Sequence, residues 1–194
     1  MPELWYSTVE PGTPITQGDL VVDCPLIGWK DKPVELSRGA EETEVLRQST
    51  DAFLADTVVM TQACDLEHEK VANVVVCPHY SLVDYRKLWD EAMAAKDQHP
   101  SAKAWRSHCD DIREGLVWNL SILNCLSEGQ VTMEHRVVDF HDVFTVPRGF
   151  LETLLAGRNR LRLRLLPPYR EHLSQAFARF FMRVGLPVPV VRAW

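Results

Sequence analysis

The sequence predicts an α+β fold, a small and strongly bent β-sheet or barrel with helices packed outside it. Two nearly all-apolar, β-branched runs at residues 57–62 and 72–77 are typical of buried strands, and the charged turn between them makes a hairpin. Residues 81–115 have helical periodicity, and an amphipathic helix near 173–184 carries its apolar side chains on one face. About six or seven strands are expected in total. The helices of residues 81–115 form an insertion between strands, and the amphipathic helix near 173–184 is the C-terminal element.

The remaining elements of the N-terminal part follow from turn residues and capping signals. A strand is predicted at 18–22, after the turn-rich residues 11–14, and another is expected near 44–49. Residues 81–84 (SLVD) match a capping box with Asp in place of Glu, which predicts where the inserted helices begin. The insertion ends near Gly115.

Alternating patterns return after the insertion. They predict strands over 116–122 and 136–140, a short helix over 149–156 with Gly157 as its stop, and a last strand that begins at Arg158. The tail, 185–194, is rich in Pro and Val and is expected to be extended. A chain of 194 residues fits a single domain.

Arginine occupies every second position from 158 to 164, which on a strand places the guanidinium groups on one face. Residues 148–194 hold nine Arg, no Lys and two acids, a net charge of +7, whereas residues 1–147 hold 12 basic and 25 acidic residues, a net charge of −13. Aligned cations repel one another, so we expect negative charge across them. The candidate anion- or partner-binding residues are Arg158, Arg160, Arg162, Arg164, Arg179 and Arg183.

Three interpretations of this arginine strand stay open. The guanidinium groups can pair with the protein's own acid-rich part or with an acidic protein partner. They can bind the phosphates of single-stranded nucleic acid, which guanidinium matches with two parallel hydrogen bonds. They can also be solvated, because charge patterns by themselves have weak specificity. The net charge of −6 argues against indiscriminate nucleic-acid binding but leaves room for a local basic site.

The densest cluster of reactive residue types is the turn 62–68, QACDLEH. Cys64 and His68 are the residue types of a nucleophile–base pair, and with Cys77 and His79 they are also the types that bind zinc. If the hairpin turns near residue 68, Cys77 lies roughly 17 Å from Cys64, which disfavours one shared zinc site. A structural cysteine at a strand end is the third interpretation.

Several classes of function lack their sequence signals. The chain has no Walker loop, no G-x-G-x-x-G, no G-x-S-x-G and no H-E-x-x-H, so we expect no cofactor and no metal. No apolar run approaches the ~20 residues of a membrane span, so we expect no membrane partner. The five cysteines are odd in number and widely spread, and no export signal is visible, which together favour free thiols in the cytoplasm.

The order GDLVV, a variable loop, TVVMTQ, a polar turn and ANVVVCPHYS resembles the N-terminal half of the MazF/PemK toxin family over residues 18–80. The resemblance implies an SH3-like barrel closed by a C-terminal helix, in a cytoplasmic bacterial protein that is often encoded beside a partner. That family cuts single-stranded RNA without metal. It usually has an arginine and a proline just before the strand equivalent to 57–62, where this chain has Ala55 and Asp56, and it tends to have Ser or Thr at the position of Thr61.

The turn TQACDL and the run PPYREHLSQAFARFF also resemble small bacterial proteins of mobile or defence-type loci. From these observations we expect a non-catalytic binding or accessory subunit of a bacterial defence or toxin–antitoxin-like system. It would hold an acidic protein or single-stranded nucleic acid on the arginine strand, as a homo- or hetero-oligomer.

Two alternatives remain. The first is a metal-independent endoribonuclease, in which the candidate catalytic residues are Thr61, Asp65 and His68, with an arginine to stabilise the charge on the reacting phosphate. The second is a thiol-dependent or zinc-dependent site centred on Cys64.

Overall fold

The computed structural model describes residues 4–30, 41–127, 129 and 131–182. Eight strands and six helices are found in these residues. In chain order the elements are β1 (Tyr6–Val9), β2 (Leu20–Trp29), α1 (Glu42–Ser49), β3 (Thr50–Val59), α2 (Ala63–Glu67), β4 (Asn73–Ser81), α3 (Leu82–Ala94), α4 (Ala102–Arg113), β5 (Leu120–Leu123), β6 (Arg136–Asp139), β7 (Phe144–Pro147), α5 (Arg148–Arg158), β8 (Arg162–Leu165) and α6 (Tyr169–Phe181).

The strands form one six-stranded and one two-stranded antiparallel sheet. The larger sheet has the order β2-β3-β4-β6-β5, with β7 also paired to β4, and the smaller one pairs β1 with β8. The predicted central hairpin is confirmed, because β3 and β4 pair with Val58 opposite Cys77 and Val59 opposite Val76. The α+β class is also confirmed. The sheet stays open, with β2 and β5 at its two ends, so the closed barrel considered from the sequence is not formed by the described strands.

The two faces of the larger sheet are buried by different helices. On one face, Leu173 of α6 packs with Phe140 and the apolar residues of β1 and β8. On the other, Leu151 of α5 packs with Val76 of β4. Burial on both faces explains why the central strands are nearly all-apolar in sequence.

The inserted helices begin where the capping box predicts. The Ser81 hydroxyl accepts a hydrogen bond from the Asp84 backbone N–H at 3.0 Å and donates one to the Asp84 carboxylate at 2.7 Å. Aromatic packing holds α3 on α4: the rings of Trp89 and His108 stack with their centroids 5.2 Å apart. The Tyr85 hydroxyl lies 2.8 Å from His108 Nε2, so the insertion has its own polar contact as well.

Two local predictions were wrong. Residues 44–49 form most of α1 rather than a strand, and helix-forming residues with glutamates in the first turn and Arg47 in the last explain this. The helix α5 continues through Arg158 and ends at Asn159, whose φ of 46° is left-handed, instead of stopping at Gly157. Asn is the non-glycine residue that most readily ends a helix in this way.

The arginine strand is consequently shorter than predicted, since β8 begins only at Arg162. The predicted tail 185–194 lies outside the described residues. None of the helices in the described part of the chain combines the length and the apolar composition that crossing a bilayer needs.

Candidate functional site

A cleft of about 700 Å³ lies between α4, β5 and α6. We refer to it as the cleft. Trp5, just before β1, and His135, just before β6, complete its wall. A more open depression of about 790 Å³ beside the start of α3 is lined by residues 125–127 and 132–136, and its described lining has no Trp, Tyr or Phe. The cleft is therefore the better candidate for holding a ligand.

The apolar wall of the cleft contains a stacked aromatic pair. The rings of Trp5 and Tyr169 are nearly parallel, at 13°, and their centroids are 3.9 Å apart. The chain brings them together because β1 pairs with β8 and the N–H of Leu166 donates to the Trp5 carbonyl at 2.9 Å. The rest of the apolar lining comes from Ile112, Leu120, Ile122, Leu123, Leu173 and Ala176.

Ionisable side chains also line the cleft: the cationic Arg113 and Arg179, the histidines His135 and His172, and the acidic Glu114. Arg179 is held in place, because its Nη2 donates to the Gly115 carbonyl at 2.8 Å and its guanidinium lies 5.2 Å from the Trp118 ring. Arg113 contacts Asp110 at 3.2 Å and Glu114 at 3.4 Å, both at exposed positions where ion pairs are weak. Arg113 can therefore turn to a stronger anion, whereas Arg179 keeps its position beside the cleft.

The lining has the chemistry of a site for a flat ring that carries negative charge. The side-chain amides of Asn124 and Gln175 also line the cleft and add hydrogen-bond donors and acceptors to it. Aromatic side chains bind nucleobases by stacking, and guanidinium groups bind phosphate. Within the described residues, no group of His, Cys, Asp and Glu side chains is arranged to hold a metal ion.

Two of the predicted anion-binding arginines are used inside the protein. Arg162 Nε donates to Asp19 Oδ2 at 2.9 Å, and Arg164 Nε donates to Asp19 Oδ1 at 2.5 Å. Asp19 is fully buried and Arg162 nearly so. The Arg162 guanidinium also donates to the carbonyls of Glu10 and Thr13, which fastens the first loop to β8. Of the open interpretations, pairing with the acid-rich part is the one these contacts match.

The other arginines do not share a strand face with them. Arg158 closes α5 and donates to the carbonyls of Val22 and Asp23 at 2.6 and 2.5 Å. Arg160 is exposed between α5 and β8. The prediction of one face from 158 to 164 was wrong, because the left-handed Asn159 turns the chain before the strand begins. Arg183 lies outside the described residues.

The candidate catalytic residues of the turn do not form a site. Thr61 is buried, and its hydroxyl accepts a hydrogen bond from the Val75 N–H at 2.7 Å, which is a structural role. Cys64 Sγ lies 3.8 Å from Gln62 Oε1 and 3.7 Å from Asp65 Oδ1, so the polar groups that it contacts do not include the imidazole of a nucleophile–base pair.

The other two candidates in this turn, Asp65 and His68, are not buried. Asp65 pairs with Lys70 at 3.6 Å, and His68 is exposed. Within the described part of the chain, no hydrogen bond or ion pair joins these residues to the arginines of β8. The structure does not bring the suggested zinc ligands together, because Cys77 and His79 are buried in β4 while Cys64 is exposed on α2. Burial raises the pKa of Cys77 to about 12, which keeps that thiol neutral.

The structure adds a polar cluster that sequence reasoning missed. Arg136 Nη1 of β6 donates to Asp56 Oδ2 of β3 at 3.0 Å, and His79 of β4 lies on the strand between them. His79 is 4% exposed, and both of its ring nitrogens lack a hydrogen-bond partner in the described structure. Its burial, followed by the nearby Arg136, lowers the pKa of His79 to about 4, so the ring is neutral near pH 7.

The only sequence signal for this cluster was a histidine in an otherwise apolar strand. Asp56 is also the acid that departs from the toxin pattern, and Arg136 supplies its counter-charge from 80 residues away. The position therefore offers a neutral ion pair rather than a free cation for a phosphate.

The chain matches no protein-family model, and it matches no curated protein either. The fold and the cleft are therefore the features of this chain that bear on its function.

Proposed function

We propose that the protein is a non-catalytic binding subunit that holds single-stranded nucleic acid in the cleft between α4 and α6. The observation that carries the proposal is the coincidence, in one cleft, of the Trp5–Tyr169 aromatic pair with Arg113 and Arg179. Arg162 and Arg164, by contrast, are engaged with Asp19 and supply no free charge.

Single-stranded nucleic acid fits this lining better than an acidic protein segment does. A carboxylate-rich peptide forms ion pairs with cations but does not stack on aromatic rings. An unpaired base stacks on such rings while its phosphate binds an arginine. The cleft holds few cations, and the protein as a whole has a net charge of −6. We therefore expect the protein to contact only a few nucleotides, all of them at the cleft.

Fluorescence anisotropy with labelled single-stranded RNA and DNA oligonucleotides of about ten nucleotides tests the proposal. The variant Arg113→Glu/Arg179→Glu should bind at least about tenfold more weakly and should show a shallower dependence on salt. Lys103→Glu/Arg106→Glu is the matched control, because it also reverses two charges and both residues are exposed on α4 without lining the cleft.

The proposal fails if the double variant binds as tightly as the wild type, or if neither oligonucleotide binds. Preferential binding of a poly-glutamate peptide over both oligonucleotides would favour an acidic protein partner instead.

A metal-independent endoribonuclease is the second candidate. One observation favours it: His135 and His172 line the same cleft as Arg179, and two histidines with a cation are the groups that general acid–base cleavage of RNA requires. Incubation of single-stranded RNA with the protein in EDTA tests it. Cleavage that is lost in both His135→Ala and His172→Ala supports it, and intact RNA at high protein concentration removes it.

The biological setting stays a prediction. The resemblance over residues 18–80 supports a cytoplasmic, toxin–antitoxin-like setting, and the likeness of TQACDL and PPYREHLSQAFARFF supports a bacterial defence locus. Pull-down mass spectrometry with and without nuclease treatment separates a partner bound through nucleic acid from one bound directly.

A further inference from the structure

The outer halves of β2 and β3 extend beyond the rest of the sheet as a two-stranded ribbon. We call it the arm; it consists of residues 25–29 of β2 and 50–55 of β3. In the described structure, β3 pairs with β4 only through Thr57, Val58 and Val59, and the outer half of β2 pairs only with β3. A two-stranded ribbon is marginally stable in water by itself, so further contacts are expected along it.

The two faces of the arm differ. On the inner face, Phe53 packs edge-on against Phe144 of β7, with ring centroids 5.6 Å apart. On the outer face, Ile27, Trp29 and Leu54 are 73, 71 and 62% exposed. Alternation along each strand and pairing across the ribbon place these three side chains on the same face, so they form a continuous apolar stripe.

The free edge of β2 carries unpaired backbone groups at defined positions. The Lys30 N–H donates to the Ser49 carbonyl at 2.8 Å, so the even-numbered residues of the outer half direct their backbone groups toward β3. The N–H and C=O groups of Ile27 and Trp29 therefore point to the open edge, and neither N–H has a partner among the described residues. Pro25 also lies at this edge, where its missing N–H costs no hydrogen bond to β3.

We propose that a second copy of this chain pairs with this edge, antiparallel and about a two-fold axis at Ile27. In that register Ile27 exchanges both of its backbone hydrogen bonds with Ile27 of the second copy. Each Trp29 N–H meets the Pro25 carbonyl of the second copy, whereas each Trp29 carbonyl receives no bond in return because proline has no N–H. The pairing therefore has four backbone hydrogen bonds, two at Ile27 and one at each Trp29–Pro25 pair. Ile27 packs on Ile27, and Trp29 packs on Pro25, across the axis.

Charge selects this edge over the other one. Residues 24–29 of β2 carry no charge. The β3 side of the arm carries Asp51, and α1 at the tip adds Glu42 and Glu44 in its first turn. Two copies that met along β3 would bring like charges together, whereas residues 25–29, which face one another along β2 in this register, are uncharged. The self-complementary edge thus fits a second copy of the chain.

Sedimentation velocity across a range of protein concentrations, without nucleic acid, tests the proposal. The wild type should move from the mass of one chain toward that of two as concentration rises. Ile27→Pro should remain monomeric, because it removes the central donor of the pairing while breaking no bond to β3. Trp29→Asp should also be monomeric, and circular dichroism of both variants checks that they are folded.

Cross-linking tests the register. In a Cys64→Ser/Cys125→Ser background, which removes the exposed native thiols, Ile27→Cys should form an intermolecular disulfide on oxidation. Opposed residues in such a pair have Cα atoms about 5.5 Å apart, which is within the range that a disulfide spans. Leu54→Cys is the control, since Leu54 is also exposed but lies a strand further from the axis.

A wild type that stays monomeric at every concentration overturns the proposal, as does a dimer that Ile27→Pro leaves intact or one that cross-links through Leu54→Cys and not through Ile27→Cys. The inference does not rest on nucleic-acid binding. If the protein is monomeric but still binds oligonucleotide through the cleft, only the dimer proposal is overturned.

Discussion

Asp19 and Arg162 form an ion pair that is closed to solvent on both sides, with side-chain exposures of 0 and 4% and an Nε–Oδ2 distance of 2.9 Å. The two residues are 143 positions apart in sequence. Arg164 completes the coordination of the same carboxylate, and backbone carbonyls of the first loop take the remaining donors of Arg162. The contact joins the start of β2, the first loop and β8.

Removing Asp19 should destabilise the protein strongly. Asp19→Ala leaves the Arg162 guanidinium buried without a counter-charge, and we expect a loss of about 3–5 kcal/mol in the free energy of unfolding. Urea unfolding measures it. Asp51→Ala is the matched control, because it breaks the exposed Lys30–Asp51 pair and should change stability by less than about 1 kcal/mol. Equal effects of the two variants would contradict a structural role for the buried pair.

Stability should depend on pH through His79. Because the pKa of this residue is lowered from 6.5 to about 4 in the folded protein, the unfolded chain binds its proton more readily between these values. The contribution is complete above about pH 6.5 and is lost as the pH falls toward 4, with a limit on the order of 3 kcal/mol. His79→Leu should flatten this part of the stability profile in urea titrations from pH 4 to 7.

His68→Gln is the control for that measurement, since His68 is exposed on the surface. It should leave the pH profile of the wild type in place. A profile that His79→Leu does not change would show that other groups produce the acid sensitivity.

Thr61 should matter for stability and not for binding. Thr61→Val leaves the Val75 N–H without its acceptor in the sheet, and we expect a loss of about 1–3 kcal/mol. Thr61→Ser keeps the hydroxyl and should cost less. Thermal unfolding measures both variants, and an oligonucleotide titration should find no change in affinity for either. A large loss of binding with unchanged stability would restore Thr61 as a functional residue.

Thiol reactivity should separate the cysteines. Cys64 and Cys125 are exposed, Cys109 is partly buried, and Cys24 and Cys77 are buried. We expect the two exposed thiols to react rapidly with an aromatic disulfide reagent in the native protein, and Cys24 and Cys77 to react only after unfolding. Burial raises the pKa of both of these thiols, which lowers their reactivity further. Rapid reaction of Cys77 would mean that β4 opens readily.

The sequence predicted best the elements that short-range rules govern. The hairpin of β3 and β4, the capping box at Ser81 and the last helix follow from alternation, capping chemistry and helical periodicity, each within a few residues. Alternation alone misled at Arg158, because a short helix that ends in a left-handed residue leaves the same spacing of arginines as a strand would.

Short-range rules could not predict the cleft. No local sequence signal marks Trp5 and Tyr169 as neighbours, and only the pairing of β1 with β8 stacks their rings. His79 could be seen as a histidine in an apolar run, but its neighbours Asp56 and Arg136 come from strands on either side of it.

The sequence by itself determined the α+β class, the central hairpin and the charge imbalance between the two parts of the chain. Only the tertiary structure decided what that charge does: Asp19 takes up Arg162 and Arg164, and Arg179 is left at a cleft. The physical reason is range. Hydrogen-bonding and periodicity rules act over a few residues, whereas the partner of a buried charge is chosen by strand register and packing, which bring together residues far apart in the chain.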